Sequence, residues 1–237
     1  MSSGDGTNVE RKRTRGERAG LSREAVLDAA LELVDRDGLS ALTMRGLGAE
    51  LGVEAMTLYH YVPNKQALLD GLVERVFTGA LPHAEGGAPW QASLRVYAET
   101  LRTTLLRHPG VLPLVAGRPA VTPGTLHAVE RALRTLRAAG FPLGQALDVV
   151  NSLSVFVVGH AAAEAAVGPV NKTAGPGSTT ELARLDPAEF PLITEAVRSG
   201  EGVDDTARFR FALDALLVGF AGYGRRGGTE GTATEDA

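Results

Sequence analysis

Residues 43–62, TMRGLGAELGVEAMTLYHYV, leave the chain few conformations to choose from. Thr43 is a helix-capping residue followed at helical spacing by Met44, Leu47 and Leu51, and Gly52 stops that segment. Glu54 to Tyr61 then starts a second short helix, closed by Val62-Pro63. Two short helices about a glycine turn form a helix-turn-helix, whose second helix is of a size that enters a DNA major groove. Gly48 is small where the helices cross, Gly52 permits the turn, and Leu47, Leu51, Val53 and Leu58 can pack beneath. Ala55, Met56, Thr57, Tyr59, His60 and Tyr61 then remain free, and their hydroxyl, imidazole and methyl groups suit phosphates, base edges and the thymine methyl. The same pattern is open to a blander reading, a helical hairpin in a core with its tyrosines packed for area. Either way Gly46 and Gly48 cost about 1 kcal/mol each relative to Ala, so the first helix needs tertiary support.

The flanking sequence is helical too. Ser22 caps a helix carrying Val26, Ala29, Ala30, Leu33 and Val34 on one face, with Asp37-Gly38 as its stop. Asn64 caps a fourth with Leu68, Leu69, Leu72, Val73, Val76 and Phe77. Further helices are expected at 90–106, 122–139, 142–167, 187–198 and 204–223, with no convincing strand, internal repeat or sustained heptad. The expected fold is all-α. Residues 1–20 are expected to form a flexible basic arm, 21–66 the helix-turn-helix domain, 67–223 a second helical domain and 224–237 a flexible tail. Gly168 to Thr180, rich in Gly, Pro, Ser and Thr, is expected to be a loop.

Charge and composition narrow the function. With 24 Lys and Arg against 28 Asp and Glu the net charge of −4 decides nothing about a polyanionic partner. Locally, Arg45 and Lys65 balance Glu50 and Glu54 within 40–66, whereas residues 11–18 hold five positive charges against one negative, a net of +4 suited to a phosphate track or the minor groove. A chain without cysteine has no disulfide framework, Cys-based metal site or thiol nucleophile. The basic N-terminal residues precede no apolar run of signal-peptide length, so a cytoplasmic protein is expected. The apolar stretch 149–168 contains Asn151, His160 and Glu164, and no membrane span is expected there. His160 and Glu164, four apart, supply two potential metal ligands without a third; an intrahelical hydrogen-bonded pair is the better reading. Gly175-Pro-Gly-Ser-Thr-Thr lacks the Lys and the strand of a phosphate loop. With no Gly-x-Ser-x-Gly, His-Glu-x-x-His or acid pair, no enzyme, metal or cofactor is expected.

The run from Leu21 to Val73, with its Ala-Ala-Leu-Glu-Leu, Gly38, Leu-Thr-Met-Arg, Leu-Gly-Val-Glu, Thr-Leu-Tyr and Asn-Lys-Gln-Ala-Leu-Leu, closely resembles the DNA-binding domain of the TetR family of bacterial transcriptional repressors. The resemblance implies that Thr43 and Arg45 contact DNA backbone and bases, that Thr57 and Tyr59 hold phosphates, and that Lys65 makes a backbone contact. It places Ala55, Met56, His60 and Tyr61 at the positions that vary in reading bases. Arg45 can bind guanine bidentately.

A weaker similarity to the tetracycline-repressor branch continues through Trp90-Gln91, Leu105-Leu106-Arg107, Arg118-Pro119, Ala139-Gly140-Phe141 and Phe156-Val157-Val158-Gly159. It implies a ligand pocket and a homodimer interface, for which 142–167 and 204–223 are the expected helices. Leu101, Leu105, Leu114, His127, Asn151, Phe156 and His160 are the candidate pocket residues, mostly apolar with a few polar groups. Leu114 stands where that branch has a metal-binding histidine, so a magnesium–tetracycline chelate is not expected. The expected function is a ligand-responsive repressor that binds double-stranded operator DNA as a homodimer and is released by a small apolar or aromatic effector, the loop at 168–180 gating entry. Two rivals stay open: a helical carrier or enzyme keeping the helix-turn-helix as scaffold, and a constitutive DNA-organising protein.

Overall fold

A computed structural model describes residues 21–81, 89–174, 182–200 and 204–227; the arm at 1–20, the end of the expected loop at 175–180 and the tail from 228 onward lie outside them. The described residues are helical throughout, without strands. Among the described residues ten α-helices follow in order: α1 Arg23–Asp37, α2 Met44–Glu50, α3 Ala55–Leu58, α4 Lys65–Gly79, α5 Trp90–Arg107, α6 Leu112–Gly117, α7 Pro123–Ala138, α8 Leu143–Ala174, α9 Pro191–Ser199 and α10 Asp205–Gly227. They group into two compact units divided between Leu69 and Asp70, within α4.

In the first unit the caps act where the sequence puts them. The Ser22 hydroxyl accepts from Ala25 N–H at 3.1 Å, and Gly38, at φ +82°, closes α1 by donating to the Val34 carbonyl. Thr43 Oγ1 accepts from Gly46 N–H at 2.9 Å, and Asn64 Oδ1 from Ala67 N–H at 2.8 Å. Val26, Leu27, Ala30, Leu31, Leu33 and Val34 of α1 are buried, as are Leu42, Leu47, Leu58, Val62 and Leu68. Burying such side chains at about 25 cal/mol per Å² of apolar surface lets a seven-residue helix with two glycines persist.

The second unit is built around α8, on which α5, α6, α7 and α10 all pack. Ala146, Val149, Leu153, Val157 and Ala161 form its buried face, met by Phe209, Leu213 and Leu217 of α10. By length and composition 143–166 is apolar enough to cross a membrane; here it is the post that four helices share. Leu147 and Val155 of α8, with Phe211, Val218 and Tyr223 of α10, are left exposed.

Four expectations are corrected. The second helix of the helix-turn-helix is not Glu54–Tyr61 but Ala55–Leu58, because His60 and Tyr61 N–H reach back only three residues, to Thr57 and Leu58, and Pro63 disfavours a helical conformation in the residue before it. The helix placed at 142–167 continues to Ala174, so the loop expected from Gly168 is helical over its first seven residues, and Pro169 costs the ladder one donor without ending it. The last helix likewise runs on to Gly227. The helix expected from Pro187 starts only at Pro191, since 187–189 form a turn in which Asp186 Oδ1 accepts from Ala188 N–H at 2.8 Å. Helix α6 falls in a segment where the sequence alone suggests no element.

Candidate functional site

The turn between α2 and α3 is a Schellman closure. Val53 N–H donates to the Gly48 carbonyl at 2.9 Å, Gly52 N–H to Ala49 at 3.2 Å, and Gly52 takes φ +66°. Gly48 faces the start of α3 so closely that a Cβ there would lie 2.8 Å from the Val53 carbonyl oxygen and 3.2 Å from the Ala55 nitrogen. The crossing of the two helices therefore depends on a missing side chain.

That crossing sets the outward face. Met56 is 71% exposed and Tyr59 41%, His60 and Lys65 are open to solvent, and so are Thr43 and Arg45 at the start of α2. Thr57 and Tyr61 are half-buried, and half-buried Ala55 seats its backbone against Gly48. Leu51 and Val53, expected beneath the motif, are only half-buried, while Leu47 and Leu58 are fully enclosed.

Charge on this face is set by one ion pair. Arg36, in the last turn of α1, donates to both carboxylate oxygens of Glu50 at 3.0 and 2.9 Å and holds that carboxyl below the usual range. With Glu50 engaged, Arg45 and Lys65 face only Glu54 within 40–66, and among the described residues neither cation has a carboxylate partner. The formally neutral motif thus presents two available cations.

In the second unit a cavity of about 850 Å³ opens between α5, α7 and α8. Trp90, Leu94 and Tyr97 of α5, Leu136 of α7, Leu153 of α8 and Phe77 of α4 make it largely apolar; Thr125, Thr135, Asn151 and Ser154 add neutral polar groups, and Arg131 and Arg134 add charge. The Tyr97 hydroxyl lies 3.4 Å from Ser154 Oγ, and burial pushes its ionisation upward. Trp90 is held edge-on to Phe141, centroids 5.0 Å apart.

Asn151 belongs to this lining; the other sequence candidates lie elsewhere. Leu101, Leu105 and Leu114 are buried in the helical interior, and His127 is exposed on α7. Phe156 and His160 join a separate cluster with Phe209, whose ring stacks on Phe156 at 5.3 Å and meets His160 edge-on at 5.1 Å. The intrahelical pair expected of His160 and Glu164 is not a hydrogen bond: the two are 3.8 Å apart. Glu164 instead takes two hydrogen bonds from Arg102, at 3.0 and 2.9 Å, which leaves His160 Nδ1 buried without a partner. A guanidinium fork outcompetes an imidazole for a carboxylate. Trp90, Tyr97 and Arg131 are missing from the sequence candidates, although alanines at 128 and 132 on α7 and at 139 just beyond it put small side chains along the cavity.

One ion pair ties α4 to Arg118, and a second residue of α4, Glu74, packs close against Gly124. Arg118 Nε donates to Asp70 Oδ1 at 3.1 Å, and Gly124 lies so close to Glu74 that a Cβ would meet its carboxylate at 2.7 Å. Phe77, one turn further along α4, lines the cavity itself.

Comparison with known proteins bears on both regions. Residues 26–72 match the family described as bacterial regulatory proteins, tetR family, and residues 81–222 match the tetracyclin repressor-like C-terminal domain. The class D tetracycline repressor protein of Escherichia coli is 35% identical over 207 residues, spanning 85% of this chain and 90% of that protein. Apo ActR from Streptomyces coelicolor superimposes with a TM-score of 0.71 at 26% identity, covering 87% of this chain and 97% of that one. ActR in complex with actinorhodin gives 0.68 at 28% identity, covering 86% and 99%.

Proposed function

The chain belongs to the TetR family of bacterial transcriptional regulators, and from that premise we propose that it is a repressor which grips a pseudo-palindromic operator as a homodimer and releases it when a small apolar or aromatic molecule fills the α5–α7–α8 cavity. One observation carries the reading: a helix-turn-helix locked by Gly48 and Gly52 that leaves Met56, Tyr59, His60, Arg45 and Lys65 outward. In this reading residues 21–66 read DNA and 67–223 bind effector and partner, in the cytoplasm where the operator is. Thr43, Thr57, Tyr59 and Lys65 hold phosphates, Arg45 contributes guanine recognition, and Met56, His60 and Tyr61 touch base edges beside Ala55.

Homodimerisation is supported by α8 and α10, which pack on each other and leave Val155, Phe211 and Val218 more than 70% exposed. Apolar surface of that kind on adjacent helices is what a second copy covers. In a dimer the two reading helices must lie about 34–36 Å apart to enter successive major grooves. Helix α4 carries Lys65 at one end and Phe77 at the other, with Asp70 held by Arg118 between them. A ligand that displaces Phe77 or breaks the Arg118–Asp70 pair moves α4 and spoils the spacing. A differential affinity of only about 1–3 kcal/mol changes operator affinity roughly 5- to 150-fold.

Replacing Thr57 and Tyr59 with Ala tests the assignment. Both act through DNA in this account, so operator binding is lost while dimer mass and melting temperature stay near those of the parent; unchanged affinity would overturn the reading helix.

A further inference from the structure

Resting on the effector-cavity reading above, we infer that the cavity is built for a flat aromatic anion, a carboxylate, sulfonate or phenolate on a planar ring system, rather than for a neutral or cationic ligand. Its shape sets the planar part. Ala128 and Ala132 of α7, and Ala139 just past its end, are small residues on the cavity wall, beside Val129, Thr135 and Leu136. Trp90 and Tyr97 line the same space from α5. Aromatic rings on one side and several short side chains on the other favour a rigid plate over a flexible chain, because a rigid ligand gives up little entropy for the contact area.

Its charge sets the anion. The charged residues among the described lining are both arginines, Arg131 and Arg134, with no carboxylate between them. Arg134 is engaged by Glu130 one helical turn back, at 2.9 Å. Arg131 is exposed where the cavity meets solvent, and among the described residues no carboxylate pairs with it. A guanidinium at the rim of an apolar slot orients an anionic group outward while the ring system enters, and repels a cation.

The test uses two fluorescent probes that differ in one group, 1-anilinonaphthalene-8-sulfonate and the uncharged N-phenyl-1-naphthylamine, titrated into the full chain, Arg131→Gln and Ala132→Trp. The sulfonate should bind the parent more tightly than the neutral probe. R131Q should weaken the sulfonate about tenfold and leave the neutral probe unchanged, and A132W should exclude both. Equal binding of the two probes, or a sulfonate affinity indifferent to R131Q, overturns the anion preference while the cavity reading stands. Probe binding unaffected by A132W, or absent from the parent, shows that the cavity is not the ligand site and removes both.

Discussion

Gly48 donates no side chain to the fold, yet its carbonyl accepts from Val53 N–H at 2.9 Å while its absent Cβ would stand 2.8 Å from the Val53 carbonyl oxygen. The same pair of residues is therefore bonded and at the limit of approach. Both atoms belong to the backbone, so an added methyl has no flexible side chain to push aside. Gly48→Ala should lower stability by about 1–3 kcal/mol, as overpacking does, and impair DNA binding by opening the angle between α2 and α3. Thermal melts together with operator titrations check this; a variant as stable and as tight as the parent would show that the crossing tolerates a side chain.

Arg102 and Glu164 pose a different test. Their side chains are only 12% and 13% exposed, Thr206 Oγ1 takes a further bond from Arg102, and the guanidinium lies 5.0 Å from the Phe209 ring centre. Glu164→Gln leaves the cation with weaker acceptors in a nearly dry site. The loss should be about 3 kcal/mol in urea unfolding, the low end for a buried pair robbed of one partner. Glu50→Gln, at an exposed pair, should cause a far smaller change that fades with added salt.

His160 gives the pH dependence. Burial, then Arg102, depress its basicity, and Glu164 and Asp205 oppose them only in part. The unfolded imidazole, with a pKa of about 6.5, takes up a proton before the folded one does. His160 therefore contributes stability that is present above about pH 6.5 and is lost as pH falls through its lower folded value. Melting temperatures of the parent should drop from pH 7.5 to 5 more than those of His160→Gln. NMR titration that placed His160 at or above the ordinary histidine value would contradict this.

The interface proposed on α8 and α10 predicts its own failure. Val155→Arg combined with Phe211→Arg puts four cations into the paired surface of a dimer and should yield a folded monomer in sedimentation experiments. Loss of operator affinity should follow, because one reading helix alone cannot span two half-sites. A variant that remains dimeric would place the interface elsewhere.

These sites differ in how far the sequence discloses them. Thr43, Gly48 and Gly52 are legible because caps and turns are local chemistry: each acts within about five residues of itself. The apolar period likewise locates α1, α4, α5 and α7 to within a residue or two. Periodicity marks which face of a helix is buried, but not whether that face meets a neighbour or a cavity. Leu101 and Leu105 therefore look as suitable for a ligand as Leu94 and Tyr97, and tertiary packing divides them. His160 and Glu164 stand at the right spacing to pair, and the competitor that prevents it, Arg102, is 62 residues away from Glu164 in the chain. The end of α8 is hidden for another reason: Gly168-Pro169 reads as a break, whereas one missing donor does not end a helix this long.

The central claim is specific DNA binding, and a fluorescence-anisotropy titration tests it most directly. The protein is titrated against labelled DNA from upstream of its own gene and against a scrambled duplex, at two salt concentrations. The account predicts clear preference for the upstream DNA, with an affinity that falls steeply with salt as Arg45, Lys65 and their counterparts displace counterions. Equal, weak binding to both duplexes at both salts would contradict it.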